Sequence, residues 1–188
     1  MRVIGGKLKG KFINHPLDKN TRPLKDLVRE SIFNILEHSN NEKIILKDKI
    51  VLDLFSGSGS FGIECISRGV KKVYFFENYK NSIKILKKNI NELKLDEISN
   101  IINKNAYEIS INDINCDNID LIYIDPPFKD KNINILLEKL KISKIAEKKT
   151  LILIHRNKKY KEDFTKEFKI IREKTYGLSK IIFGRILF

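Results

Sequence analysis

The sequence predicts an α/β protein whose mostly parallel sheet is covered by helices on both faces. Three observations carry that reading. Short, continuous runs of branched apolar residues recur from "KIVLDLF" to "TLILIH" without the alternation of a half-exposed strand. Amphipathic stretches with helical spacing stand between those runs, giving the strand–helix rhythm of a doubly wound sheet. The chain then closes on "FKIIREKTYG" and "LSKIIFGRILF", two strands with Gly177 between them. A tight hairpin there adds one antiparallel strand and brings the sheet to about seven strands.

The elements follow in order. "RVIGGKLKGKFINHP" reads as two short strands about a Gly-Lys turn, an N-terminal β-hairpin. In "NTRPLKDLVRESIFNILEH" the apolar residues Leu24, Val28, Ile32, Ile35 and Leu36 form a helical stripe, with Thr21 or Asn20 as cap and Pro23 near the first turn. "KIVLDLF" is a strand, "SFGIECISRG" a helix stopped by Gly69, and "KKVYFFE" the next strand. "NSIKILKKNINELKL" is a helix with Ile83, Leu86, Ile90 and Leu93 on one side; "SNIINKN" is a strand and "AYEISIND" a weak helical turn. "IDLIYID" is a strand that Pro126 and Pro127 end, because proline cannot donate to a sheet ladder. A helix near 131–146, the strand "TLILIH" and a polar helix near 158–167 complete the chain before the hairpin. Residues 1–38 form a hairpin-and-helix extension, and 39–188 a single compact unit.

Composition narrows the class. With 188 residues and 41% apolar content the chain fits one globular domain. No apolar run reaches the roughly 18–20 residues that cross a bilayer, and "MRVIGGKLKG" is too short an apolar start for a secretory signal. The two cysteines, Cys65 and Cys116, make no metal-ligand pairing, so the expectation is a cytoplasmic protein without disulfides or metal. The net charge of +13 is unevenly spread: residues 1–30 carry +5, residues 31–128 carry −2, and residues 129–188 carry +10. A slightly acidic middle between basic flanks fits a cofactor site bordered by a polyanion-binding surface.

"VLDLFSGSGSFG" puts Gly57, Gly59 and Gly62 between the first sheet strand and its helix, where the backbone can turn tightly against a ligand. A G-x-G-x-x-G pattern alone also fits a dinucleotide site. Asp53, four residues before the first glycine, disfavours a pyrophosphate and suits a cationic ligand such as a methionine amino group. Glu77, at the end of the next strand, can accept hydrogen bonds from a ribose diol. Asn105 can meet an adenine amino group through its side-chain oxygen, and Ala106 can offer its N–H to a ring nitrogen. The plainer alternatives are a capping acid for Asp53, a solvated strand end for Glu77 and a turn-former for Asn105.

"DPPF", Asp125 to Phe128, stands at the carboxyl end of an interior strand, where open parallel sheets bind ligands. With S-adenosylmethionine across the strand ends, the Asp125 carboxylate and Pro126 carbonyl can hold the two N–H bonds of an exocyclic base amine. Its lone pair then points at the methyl group, and Phe128 supplies a stacking surface.

The chain resembles the bacterial small-subunit (16S) ribosomal RNA guanine-N2 methyltransferase family over nearly its whole length, through "RVIGGKLKGK", "TRPLKDLVRESIFNIL", "VLDLFSGSGSFGIECISRG", "VYFFE" and "DPPF". The resemblance implies a Rossmann-like S-adenosylmethionine-dependent methyltransferase fold and one guanine of 16S rRNA as target. It implies cofactor contacts at Asp53, Gly57, Gly59, Glu77, Asn105, Ala106 and Asp125, and catalysis at Asp125, Pro126 and Phe128. Two positions depart from the pattern. Family members usually carry an acid where Asn105 stands, and many carry glutamate where this chain has His155, which is read here as structural. Arg2, Lys7, Lys9, Lys11 and Arg22 are the expected phosphate contacts, on a mobile N-terminal hairpin. The expected partner is 16S rRNA in a partly assembled small ribosomal subunit, met by a monomer without membrane contact. Three other readings stand beside this one. They are adenine-N6 methylation of DNA, RNA binding by a vestigial methyltransferase fold, and an NAD-dependent oxidoreductase, which Asp53 weakens.

Overall fold

The computed structural model describes residues 1–16, 24–39, 44–116 and 118–188. Five strands run parallel: β1 (Ile50–Leu54), β2 (Lys72–Glu77), β3 (Ser99–Asn103), β4 (Leu121–Ile124) and β5 (Leu151–Asn157). Two more, β6 (Phe168–Tyr176) and β7 (Ser179–Ile186), form the terminal hairpin. The seven-stranded order is β3-β2-β1-β4-β5-β7-β6, with β7 antiparallel to both neighbours. The helices are α1 (Asp26–His38), α2 (Ser60–Ser67), α3 (Lys80–Glu92) and α4 (Ile133–Ile142).

Covering both faces explains the unbroken apolar runs. Val51, Val73, Phe75 and Leu121 join one core with Ile32 of α1, Phe61 of α2 and Leu86 of α3. Leu52, Tyr74, Phe76 and Ile122 join the opposite core with Leu136 and Leu140 of α4. Each parallel strand therefore needs apolar residues at consecutive positions. The outer strand β6 is mostly exposed and carries Lys169, Arg172, Glu173 and Lys174, a charged edge that discourages pairing with another chain.

The sequence-predicted polar helix near 158–167 does not form; the segment is turns and irregular chain. Side chains hold it in place of a helical ladder. Asn134 donates to Asp163 O at 2.7 Å and accepts from Thr165 N–H at 3.3 Å, Asn157 accepts from Lys159 N–H at 3.0 Å, and Glu162 pairs with Arg156 at 2.6 Å. The expected caps of α1, Asn20 and Thr21, lie with Pro23 outside the described residues; Lys25, in extended conformation, precedes the helix.

The N-terminal hairpin is narrower than two full strands. It has one antiparallel bridge, Arg2 to Phe12, around a single 3-10 turn at Gly6–Leu8. It is also fastened to the domain. Ile4 and Gly5 each donate a backbone N–H at 2.8 Å to the carboxylate of Glu64 on α2, and Leu8 N–H reaches Ser67 Oγ at 2.9 Å. Gly6 sits at φ +74°, where a Cβ would lie 1.9 Å from Ser67 O, so only glycine allows this approach. Glu64 is fully buried between two guanidiniums, Arg29 at 3.8 Å and Arg68 at 3.1 Å.

The chain leaves β1 toward β2 and β3 on one side and returns to β4 on the other. That reversal opens a crevice at the carboxyl ends of β1 and β4, where doubly wound sheets bind ligands.

Candidate active site

A cavity of about 530 Å³ occupies that crevice. Its walls come from the ends of β1, β2, β4 and β5, from the glycine loop, and from His15, Pro16 and Leu24 of the N-terminal region. Asp53, Gly57, Glu77, Asp125, Pro126 and Phe128 all face it; Gly59 stands just behind it, while Asn105 and Ala106 do not reach it.

Asp53 is 1% exposed, and its Oδ2 accepts the Gly62 N–H in the first turn of α2 at 3.0 Å. Burial pushes its carboxyl well above the usual range. The Gly62 N–H opposes that shift, while the charges of Asp125 and Glu77 add to it. A buried acid facing two further carboxylates suits a positively charged ligand. Gly59 caps α2 at φ +80°, and a Cβ there would lie 2.4 Å from Leu86 Cδ1; one on Gly62 would lie 2.2 Å from the Phe75 ring. Two of the three glycines thus bring helix and sheet together, while Gly57 N–H donates to Glu77 Oε2 at 2.7 Å.

Glu77 is busier than the sequence suggests. Besides Gly57 it accepts from Asn78 and Tyr79 N–H at 2.9 and 2.8 Å, filling three of about four acceptor positions. A diol bound there shares or displaces one of these bonds. Asn105 caps a 3-10 turn, its Oδ1 accepting Tyr107 N–H at 3.1 Å, and Ala106 is buried in the core shared with α4. The side-chain oxygen assigned to an adenine is thereby engaged by its own turn.

Asp125 leaves β4 into the cavity with its side chain 21% exposed. Its Oδ2 accepts the Tyr123 hydroxyl at 3.1 Å, and its Oδ1 lies 2.9 Å from His155 Nδ1. Burial holds the Tyr123 hydroxyl well above its ordinary pKa, with the charge of Asp125 adding to the effect, so Tyr123 stays a donor. Tyr123 stacks on Phe61 at 4.0 Å between ring centroids. Phe128, half-exposed, meets the His155 ring edge-on at 5.6 Å. No described residue donates to the Pro126 carbonyl.

The rest of the turn is held from β5. Arg156, 2% exposed, donates to Pro127 O at 3.3 Å, to Asp130 O, and to Glu162 at 2.6 Å. His155 and Arg156 were not among the sequence-predicted site residues. The usable signal was register: Ile124 pairs with Ile154, so the residue after β4's last position lies beside His155.

Arg2, Lys7, Lys9 and Lys11 are exposed on the N-terminal segment, and Arg2 donates to Gly10 O at 3.1 Å. None of the four lines the cavity, although His15 and Pro16, further along the same segment, do. Arg22 lies outside the described residues. Among the described residues no group of three His, Cys, Asp or Glu side chains is placed to hold a metal ion, and no helix is long and apolar enough to cross a membrane.

The site also makes a pH-dependent prediction. Asp53→Asn keeps an acceptor for Gly62 N–H and removes the buried acid. A carboxyl raised in the fold favours folding below its unfolded pKa, and that contribution is lost as pH rises toward the folded value. The ligand-free variant should therefore match or exceed the wild type in thermal stability at pH 8, with the advantage shrinking toward pH 4. Its affinity for a cationic ligand should fall at least about tenfold by calorimetry. Equal affinity in both proteins would show that Asp53 does not meet the cation.

Comparison with known proteins places this geometry. Residues 1–185 match the family described as conserved hypothetical protein 95. The ribosomal RNA small subunit methyltransferase D of Haemophilus influenzae is 30% identical over 183 residues, covering 95% of this chain and 90% of that protein. A solved Escherichia coli structure, described provisionally as a methyltransferase, superposes with a TM-score of 0.82 at 23% identity, covering 100% of this chain and 98% of that one. An RNA methyltransferase from Salinibacter ruber, solved with S-adenosyl-L-homocysteine, shares the fold with a TM-score of 0.62 at 14% identity, covering 88% and 94%.

Proposed function

Because the chain belongs to the conserved hypothetical protein 95 family and has the Rossmann-like fold of S-adenosylmethionine-dependent methyltransferases, we propose that it methylates the exocyclic N2 amine of a guanine in 16S rRNA, with S-adenosylmethionine as donor. The observation that carries the reading is one cavity walled by the buried acid and glycine loop on one side and by Asp125, Pro126 and Phe128 on the other. The name of the Haemophilus relative supports a ribosomal RNA substrate.

The residues fit this cofactor. Three carboxylates, Asp53, Glu77 and Asp125, face a cavity large enough for a nucleoside with an amino-acid arm. Asp53 holds the amino cation, Glu77 and the Gly57–Gly59 loop hold the ribose and neighbouring backbone, and the cavity floor takes the base. Asn105, by its side-chain oxygen, and Ala106, by its N–H, meet the adenine once the 3-10 turn gives up the bond between Tyr107 N–H and Asn105 Oδ1. S-adenosylmethionine supplies an electrophilic methyl group on a cationic sulfur.

The chain's own part is orientation. A guanine N2 is a weak nucleophile because its lone pair is delocalised into the ring. Asp125 accepts one N–H and Pro126 O the other, so the lone pair turns out of the ring plane toward the methyl carbon. Phe128 fixes the base face. S-adenosylmethionine would supply the methyl group and depart as the neutral thioether, and the proton released from N2 would pass to solvent at the open side of the cavity.

Residues 1–38 act as an RNA-contacting extension of the methyltransferase unit 39–188. Arg2, Lys7, Lys9, Lys11 and Arg22 meet phosphates, with specificity supplied by RNA in a partly assembled subunit in the cytoplasm, bound by a monomer. The test is transfer of labelled methyl to unmodified small-subunit RNA, free or with ribosomal proteins, against duplex DNA. Transfer to RNA is expected; transfer to DNA adenine alone would overturn the proposal.

A further inference from the structure

His155 and Phe128 raise a question that the cavity alone does not answer: what keeps an acid and an aromatic ring at the angle a base requires? A base amine offers its N–H bonds in the ring plane, whereas the base stacks along the normal to that plane. The acceptor and the ring must therefore be fixed relative to one another, and one side chain touches both. His155 Nδ1 lies 2.9 Å from Asp125 Oδ1, and the imidazole meets Phe128 at 84° between ring planes. The residue is 4% exposed, at the carboxyl end of β5 beside the end of β4.

The second nitrogen identifies which partner donates. Nε2 is buried and has no hydrogen-bond partner among the described residues. With the proton on Nδ1, the imidazole donates to the carboxylate and Nε2 is left only with an unused lone pair. With the proton on Nε2, a buried N–H is orphaned, and Asp125 must itself be protonated to bond Nδ1. A proton on each nitrogen leaves a charged donor unmatched. Unpaired buried donors are costly, more so when charged, whereas under-used acceptors are tolerated better. The Nδ1–H tautomer is thus the one the surroundings favour.

We infer that His155 is a positioning residue for the methyl transfer proposed above: it donates from Nδ1 to Asp125 and packs edge-on against Phe128, setting acceptor and stacking ring relative to each other. The carboxylate is then held at both oxygens, by His155 on Oδ1 and by the Tyr123 hydroxyl on Oδ2. Rotation about the Asp125 side chain is restricted, and its remaining lone pairs are left for the cavity. Arg156 performs the matching task for the backbone of the turn through Pro127 O and Asp130 O.

This inference rests on the proposed function, so its test has one arm that needs no activity. The chain has three histidines, and ¹⁵N spectra of the full-length protein resolve their tautomers, with His155 assigned by its absence from His155→Asn. The expected result is a proton on Nδ1 and none on Nε2, with that signal altered in Asp125→Ala. An Nε2–H tautomer would overturn the donor role. The second arm compares variants. Asparagine places its N–H near the position of Nδ1, glutamine places its N–H near Nε2, and leucine has none. His155→Leu and His155→Gln should lose about tenfold or more in kcat, the effect of one oriented hydrogen bond, while cofactor affinity changes less than about threefold. His155→Asn should recover most of that loss. Equal kcat in all three variants, or a loss seen only in cofactor affinity, would overturn the positioning role. If the wild type transfers no methyl to RNA, the proposed function fails, and the spectra still decide whether His155 donates to Asp125.

Discussion

Asp125→Ala should reduce methyl transfer by about 10²–10³-fold in kcat, the effect of removing one preorganised hydrogen-bonding group from a reacting centre. The structure gives a second reason for a large loss. Without the carboxylate, the Tyr123 hydroxyl and His155 Nδ1 lose their shared acceptor, and only the ring contacts with Phe61 and Phe128 still orient them. Cofactor affinity should stay within about tenfold, roughly 1.4 kcal/mol, because Asp53 and the glycine loop lie on the other side of the cavity. Single-turnover kinetics and calorimetry measure the two quantities separately. A cofactor loss much larger than tenfold would make Asp125 chiefly a ligand-holding residue.

Glu64→Ala should cost about 3–5 kcal/mol of folding stability, the range for removing one partner from a buried ionic network. Glu64 is fully buried, and its carboxylate serves four groups at once: the Ile4 and Gly5 N–H bonds and the guanidiniums of Arg29 and Arg68. Burial already lowers the pKa of Arg29, with Glu64 opposing that shift, so truncation leaves a poorly solvated cation beside two unmatched N–H groups. Denaturant unfolding should show a lower midpoint with an unchanged slope. Because the same carboxylate fastens the segment carrying Lys7, Lys9 and Lys11, RNA affinity should fall further than cofactor affinity at temperatures where the variant is folded. A stability change under about 1 kcal/mol would show that the network is solvated in a way the buried geometry does not suggest.

What could be read in the sequence followed from local physics. The parallel strands were legible because residues such as Val73, Phe75, Tyr74 and Phe76 fill cores on both sheet faces, leaving no alternation. The end of β4 was legible because Pro126 and Pro127 forbid further pairing. The glycine loop was legible as a tight turn, but not its division of labour, since the contacts of Gly59 and Gly62 are with Leu86 and Phe75 on other elements. The missing helix at 158–167 had a polar composition compatible with a solvated helix; the side chains of Asn134 and Arg156, distant or outside the segment, decided otherwise.

The site divides the same way. Asp53, Glu77 and Asp125 end strands at the switch point, and the strand pattern alone put them near one crevice. His155 lies two residues before the end of β5, and its role depends on the lateral register of β4 and β5, which no local pattern encodes. Glu64 looked like an ordinary helix position, because its partners Ile4 and Gly5 are 60 and 59 residues away in the chain. Asn105 could be read either as a base contact or as a turn-former, and in this conformation its side chain serves the turn.

The central claim concerns one nitrogen, and the most direct measurement locates the added methyl group. Unmodified small-subunit RNA is incubated with the protein and S-adenosylmethionine, digested, and mapped by mass spectrometry. A single N2-methylguanosine at one position, absent when Asp125→Ala replaces the wild type, is the predicted result. Methylation of an adenine, a ring nitrogen or a ribose oxygen, or transfer that persists without Asp125, would contradict it.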